Sequence, residues 1–187
     1  MVDYQKIIDY YYKVDDPLRE ILLVHSRQVA DRALCICERH PELQLDRDFV
    51  EAAAMLHDIG IIRCDAPGIE CYGTEPYICH GRQGAEMIRS LRGTLLAEDE
   101  VEPLARVCER HTGAGLSRRD IVAQNLPLPQ QDFLPETLAE QVICYADKFY
   151  SKTKLGREKT VSQAEVSLGK FGTEGVERFR KWVQLFE

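Results

Sequence analysis

The sequence predicts an all-α chain folded as a single domain, and three observations carry that prediction. Apolar residues recur at three- and four-residue steps along most of the 187 residues, the spacing of one helix face. Strand-like alternation of apolar and polar residues is weak throughout. No repeat, low-complexity stretch or linker divides the chain, and its length suits one domain with a sizeable core. The domain is therefore read as residues 1–187, with a motif-bearing core over 18–152 and C-terminal helices over 161–187 packed on it.

The elements follow in chain order. From Leu18 to His40 the apolar residues Leu18, Ile21, Leu22, Val29, Ala33 and Cys37 mark one helix face, and Pro41 ends the run. Asp46 is a cap for a second helix through Phe49, Val50, Ala53, Met55 and Leu56, which should stop at Gly60, because glycine tolerates a left-handed conformation. Residues 61–79 hold Pro67, Gly68, Gly73 and Pro76 and read as a long irregular loop, a candidate wall of an active site. Helical spacing resumes at about 80–92, closed by Gly93, and at about 100–111, closed by Gly113. Ser117 with Asp120 resembles a capping box for a short helix to about Gln124. Leu126-Pro127-Leu128-Pro129 and Pro135 make residues 125–135 a stiff exposed loop, which suits a lid over a site. An apolar helix returns from Glu136 to Lys152, and Val161–Glu187 gives one or two amphipathic helices. Phe179, Trp182 and Phe186 of that last stretch suit either the core or the interface of a homodimer.

Charge and composition exclude several function classes. The net charge of −7 argues against general affinity for nucleic acid or anionic membrane, yet leaves room for a local basic pocket that takes a phosphate. No run of 18 apolar residues exists and residues 1–6 lack the apolar segment of a signal peptide, so a cytoplasmic location is expected. The seven cysteines contain no Cys-x-x-Cys spacing and read mostly as small buried residues in a reducing compartment. Only Cys64, Cys71 and Cys79 lie close in sequence, without the tight spacing of a zinc site.

The informative segment is His57-Asp58-Ile59-Gly60. A charged pair at the end of an apolar helix is costly to bury unless it is paired or binds a cation. His25 lies on the apolar face of the first long helix, four residues from both Ile21 and Val29. Asp147 is a carboxylate embedded in the apolar run Ile143–Ala146. Imidazole and carboxylate donors from three separate helices suit a borderline divalent ion such as manganese, iron, cobalt, nickel or zinc, and magnesium is also admitted.

His25, then His57-Asp58-Ile59-Gly60, then Asp147 resembles the H…HD…D pattern of the HD-domain superfamily, and its His-Asp-Ile-Gly subset in particular. The resemblance implies a helical bundle holding a divalent metal on these four residues, with activity toward phosphate monoesters or diesters, often of nucleotides. It also implies roles for His80 and His111, which fall in the intervals where two-metal HD proteins bind a second ion, Asp58 then bridging both. One ion or two is thus left open. The His80-Gly81 and His111-Thr112-Gly113 contexts look most like HD phosphohydrolases that split dinucleoside polyphosphates. In this reading Asp58 is also catalytic, orienting the attacking water, and Lys148, next to Asp147, is a catalytic and phosphate-binding candidate. Arg63, Arg82 and Arg110 are further phosphate-binding candidates by their nearness to motif residues. His40, beside Pro41, reads as a surface residue.

The expected partner is a small phosphorylated molecule, a nucleotide first of all. Two other functions stay open: a di-iron oxygenase with the same six ligands, and a non-catalytic module that binds a nucleotide and reports it. The cyclic-dinucleotide phosphodiesterase branch is disfavoured, because its Gly-Tyr-Pro signature and doubled histidine are missing. So is the alarmone hydrolase branch, because Ile61, Ile62 and Arg63 stand where acidic residues would follow the His-Asp pair.

Overall fold

In the computed structural model, which describes residues 2–187, most helices begin where a short polar side chain satisfies the first free amides. Asp3 caps α1 (Tyr4–Tyr11) by accepting from the amide of Lys6. Asp16 does the same for α2 (Pro17–Arg39), with Pro17 at the first position, where its missing N–H costs nothing. Asp46 accepts from the amides of Asp48 and Phe49 to open α3 (Arg47–Leu56). After α4 (His80–Arg89) and α5 (Glu98–Arg110), capping boxes open three more helices. They pair Ser117 with Asp120 for α6 (Arg118–Ala123), Thr137 with Glu140 for α7 (Leu138–Asp147), and Thr160 with Gln163 for α8 (Val161–Gly169). The last helix, α9, spans Thr173–Phe186.

The structure is mostly helical but not strictly all-α. Within residues 61–79, expected to be irregular, three short strands form: β1 (Cys64–Ala66), β2 (Cys71–Tyr72) and β3 (Glu75–Pro76). β1 lies between the others, antiparallel to β2 and parallel to β3. Strands of two and three residues are too short to show a period of two, which is why the pattern escapes the sequence.

Two boundaries also move. α7 ends at Asp147 instead of running on to Lys152, so the following segment leaves the helix axis beside the site. α3 ends at Leu56 and passes into a 3-10 turn over Ile59–Arg63. Gly60 sits in that turn without a left-handed backbone, and its role is space. A Cβ there would lie 2.2 Å from the His80 carbonyl oxygen and 2.3 Å from the Gly84 amide nitrogen. The expected left-handed stops do occur at Gly93 (φ 69°) and Gly113 (φ 61°).

α2 packs against α3 and α7, and α4 packs against both α5 and the turn after Asp58. One apolar cluster runs from Ile7 and Ile8 of α1 to Phe186 of α9. Phe179 and Phe186 close on Tyr145 with ring centroids 5.1 and 5.4 Å apart. Phe179, Trp182 and Phe186 are all buried within their own chain, so these residues are core and not the dimer face that they also suited. Each contributes roughly 1.5–3 kcal/mol by leaving water. Among the described residues no helix is long and apolar enough to cross a membrane.

Candidate metal centre

Six buried side chains from five elements converge beside the middle of α2. His25 comes from the middle of α2, and His57 and Asp58 follow the last residue of α3. His80 opens α4, His111 caps the end of α5, and Asp147 is the last residue of α7. Helix termini thus deliver most of the set. This is geometrically apt, because a terminal residue can reach beyond the helix axis toward a shared point.

Asp58 stands at the middle. Its Oδ2 lies 3.1 Å from His25 Nε2 and 3.0 Å from His57 Nε2, while its Oδ1 lies 3.3 Å from His111 Nε2 and 3.5 Å from His80 Nε2. Asp147 Oδ1 completes the first group, 3.0 Å from His25 Nε2 and 3.6 Å from His57 Nε2. Two ligand sets follow: His25, His57, Asp58 and Asp147, and Asp58, His80 and His111, the atoms of each lying within 4.8 Å of one another.

The atoms are close without satisfying each other. His25 Nε2, His57 Nε2 and both Asp58 oxygens are fully buried and make no hydrogen bond of good geometry, although Asp58 Oδ2 has the Lys152 ammonium beside it as an ion-pair partner. Meanwhile the far nitrogens are anchored: His57 Nδ1 donates to Ala54 O at 2.6 Å, His80 Nδ1 to Tyr77 O at 2.7 Å, and His111 Nδ1 to Cys108 O at 2.6 Å. Such bonds fix tautomer and ring orientation in metal-bound histidines and turn Nε2 inward. Orphaned buried polar atoms, oriented imidazoles and two carboxylates fit a divalent cation or a pair of them.

Electrostatics agree. Burial alone would raise the Asp58 and Asp147 carboxyls, but His57 and Lys152 at the first and Lys148 and His25 at the second hold both well below the usual range. Burial also opposes charge on His57, yet Asp58 and Asp147 outweigh it and raise that imidazole to about 9. The carboxylates therefore demand positive charge here, which a proton or a metal ion can supply. Burial lowers His111 and, with His111 beside it, pushes His80 down to about 3.

Two lysines meet this cluster. Lys148 Nζ lies 2.7 Å from Asp147 Oδ2 and donates to His111 O at 3.1 Å. Lys152, which sequence reasoning missed, lies 2.5 Å from Asp58 Oδ2 with its side chain largely buried. Only the early end of α7 places it there, and no motif marks it. Both line a pocket of about 550 Å³ with His25, Asp147, Tyr77 and Lys159, walled on the apolar side by Ile69 and Leu168. A neighbouring hollow of about 350 Å³ reaches His80 and His111 and shares Lys148, Lys152 and the exposed Phe171 with the first. Leu126, at the edge of the 125–135 loop, lines this hollow beside the two histidines.

The three arginine candidates lie elsewhere. Arg63 donates to Gln83 Oε1 at 3.0 Å, Arg82 pairs with Glu86 at 3.2 Å, and Arg110 holds Leu134 O at 2.6 Å and Glu136 at 2.9 Å. Arg82 is two residues from His80 and so about 200° around the helix from it. His40 pairs with Glu42 at 3.0 Å, away from the cluster. Cys64, Cys71 and Cys79 are free thiols and join neither ligand set.

Comparison with known proteins follows this geometry. The sequence profile of the HD domain family matches residues 22–151, a span that holds all six convergent side chains. An uncharacterized protein of Methanocaldococcus jannaschii is 32% identical over 154 residues, covering 81% of this chain and 79% of that protein. A tRNA (cytidine(56)-2'-O)-methyltransferase of Picrophilus torridus is 33% identical over 136 residues, 73% of this chain but 33% of the methyltransferase. Its namesake from Thermoplasma volcanium is 28% identical over 152 residues, 81% of this chain and 38% of its own. The chain thus spans little more than a third of either methyltransferase. The crystal structure of the L. monocytogenes phosphodiesterase PgpH HD domain shares the fold at a TM-score of 0.53 and 14% identity, over 96% of this chain and 94% of that one. With its profile match lying over the His-Asp cluster, this chain belongs to the HD domain family.

Proposed function

We propose that this chain is a metal-dependent phosphohydrolase acting on a phosphate ester or anhydride of a small nucleotide. The observation that carries the reading is the meeting of Lys148 and Lys152 with the buried His-Asp cluster, beside His25 and Asp147 in one hollow and beside His80, His111 and Asp147 in the next. His25, His57, Asp58 and Asp147 would hold one divalent ion, and Asp58, His80 and His111 a second. Such ions supply hydroxide near neutral pH, by acidifying bound water to a pKa of about 7, and offset charge on the phosphoryl oxygens.

The chain's own residues do the rest. Lys148 and Lys152 bind phosphate oxygens at the pocket floor, where burial strengthens each charged contact. Asp58 has no proton to spare at neutral pH and orients the attacking water as an acceptor. Tyr77 stacks on His80 with ring centroids 4.7 Å apart and lines both hollows. Phe171 is 67% exposed and lines both hollows, an apolar platform on which a planar base would stack.

Support from relatives is coarse. PgpH is a phosphodiesterase, and likeness to it at 14% identity speaks for the fold alone. The methyltransferase name belongs to chains of which this one matches a third or so, so methyl transfer is not carried over. Dinucleoside polyphosphates remain the substrate class suggested by the His80 and His111 contexts.

The test is phosphate release from a panel of nucleotides and sugar phosphates by protein loaded with manganese, cobalt or iron, with Asp58→Ala as control. Turnover without oxygen, lost in the variant, supports the reading. Substrate-dependent oxygen uptake without phosphate release would replace it with the oxygenase, and tight nucleotide binding without turnover would replace it with a regulatory module.

A further inference from the structure

The pocket beside the metal-centre residues has a neighbour across Ser151 and Lys159. A second hollow of about 530 Å³ is lined by Ser151, Lys154, Arg157, Glu158, Lys159 and Gln163, and it shares Ser151 and Lys159 with the first. The bounding segment, residues 148–159, carries Lys148, Lys152, Lys154, Arg157 and Lys159 against a single acid after Asp147, Glu158. Half of the chain's eight lysines fall in these twelve residues, although the net charge is −7. Local electropositivity of this kind is not a by-product of composition.

Lys148 and Lys152 pair with Asp147 and Asp58, but the three outer cations are not neutralised within the chain. Most arginines elsewhere are committed to carboxylates, as Arg89 is to Glu102 and Glu109, and Arg106 to Glu136 and Glu140. Among the described residues Lys154, Arg157 and Lys159 make no ion pair, and Glu158 is taken by Arg32 at 2.5 Å. Lys159 is half-buried and its Nζ is held toward the shared wall by donating to Lys148 O at 3.2 Å. The backbone amides of Lys154 and Arg157 close two tight turns on Ser151 O and Lys154 O, at 3.1 and 3.3 Å. Three cations gathered around one hollow repel each other, and a bound polyanion relieves that repulsion.

Resting on the phosphohydrolase reading, we propose that Lys154, Arg157 and Lys159 form a second phosphate subsite, so that the substrate carries two phosphate groups. One lies against Lys148 and Lys152 over the metal-centre residues. The other lies in the second hollow, reached past Ser151 and Lys159. Two linkages share this chemistry, an anhydride-linked chain and two phosphates on opposite sides of one sugar.

The test combines binding and kinetics on the full-length protein as purified. Calorimetric titration with inorganic phosphate should show two sites per chain, and one in a Lys154→Ala/Arg157→Ala variant. Both substitutions fall in an exposed segment, so the fold should survive. A Lys6→Ala/Lys13→Ala variant removes the same charge far from the pocket and should keep two sites. Equal loss in both variants, or no loss in either, would overturn the subsite. In kinetics, kcat/KM for a nucleoside diphosphate and for a nucleoside 3',5'-bisphosphate is divided by that for the monophosphate. The ratio should fall at least about tenfold in the Lys154/Arg157 variant for one of the two, which identifies the linkage. Unchanged ratios with active enzyme would refute the subsite and leave the phosphohydrolase standing. Two phosphate sites without turnover of any phosphate compound would do the reverse.

Discussion

His80 and His111 face each other with Nε2 atoms 3.0 Å apart, and neither has a proton to place between them. Each ring donates Nδ1–H to a backbone carbonyl, Tyr77 O or Cys108 O, and a carbonyl can only accept. Burial keeps both imidazoles neutral at neutral pH. Two lone pairs therefore meet at hydrogen-bond distance, and Asp58 Oδ1 adds a third acceptor 3.3–3.5 Å away. One cation among the three atoms removes every one of these repulsions. Asp58, His80 and His111 thus form a cation-seeking set whatever motif they belong to.

Gly60 holds that geometry through space alone. Its Cβ-free surface lets the turn after Asp58 lie on the backbone of His80 and Gly84. Gly60→Ala should cost about 2 kcal/mol or more in chemical denaturation, because the atoms it would meet are backbone and cannot rotate away. It should also reduce bound metal by moving His80. A stable variant with unchanged metal content would show that the close approach does not matter.

Lys152→Ala should lower kcat at least tenfold toward a phosphate substrate, since it removes a buried charge from the pocket floor. Arg82→Ala should change kcat less than twofold, as Arg82 pairs with Glu86 in solvent. Steady-state kinetics on the two variants checks both statements, and equal losses would return the arginine to the site.

Why one cation was legible in the sequence and the other was not is a matter of geometry. Lys148 adjoins Asp147, and adjacency to a ligand at a helix end does bring the two together. Lys152 needed α7 to stop at Asp147, while the apolar pattern through Phe149 argued for continuing it. The arginines differ in direction: Arg82, two positions from His80 on α4, points into solvent, Arg110 turns from His111 to Leu134 and Glu136, and Arg63 turns to Gln83. His25, His57, Asp58 and Asp147 stood out because polar groups on apolar helix faces need an explanation. The strands over residues 64–76 pair at only two positions on each side of β1, Asp65–Tyr72 and Ala66–Cys71 on one and Cys64–Glu75 and Asp65–Pro76 on the other, too few to leave a side-chain period.

The thiols give a check on burial. Cys35 is exposed and the other six cysteines are buried. Burial pushes Cys64 up to about 12 and Cys71 up to about 11, so at pH 8 neither forms the reactive thiolate in quantity. Titration of the native protein with a thiol reagent at pH 8 should show one fast thiol per chain, and all seven in denaturant. Three or more fast thiols would contradict the packing around β1 and β2.

Metal binding should stabilise the fold by mass action. A divalent ion at 100 times its dissociation constant adds about 2.7 kcal/mol, or on the order of 5–10 °C in Tm for a chain of this size. Asp58→Asn weakens the one ligand common to both sets and should abolish most of that shift. A full shift in the variant would place the ion elsewhere.

Metal content per chain, by elemental analysis of protein purified without chelator, tests the binuclear centre most directly, with His80→Ala and His111→Ala alongside. The account predicts about two ions in the parent protein and about one in each variant, with His25, His57, Asp58 and Asp147 retaining theirs. One ion, unchanged in both variants, would reduce the centre to that first set. No ion, even after loading with manganese, cobalt or iron, would contradict the metal centre altogether.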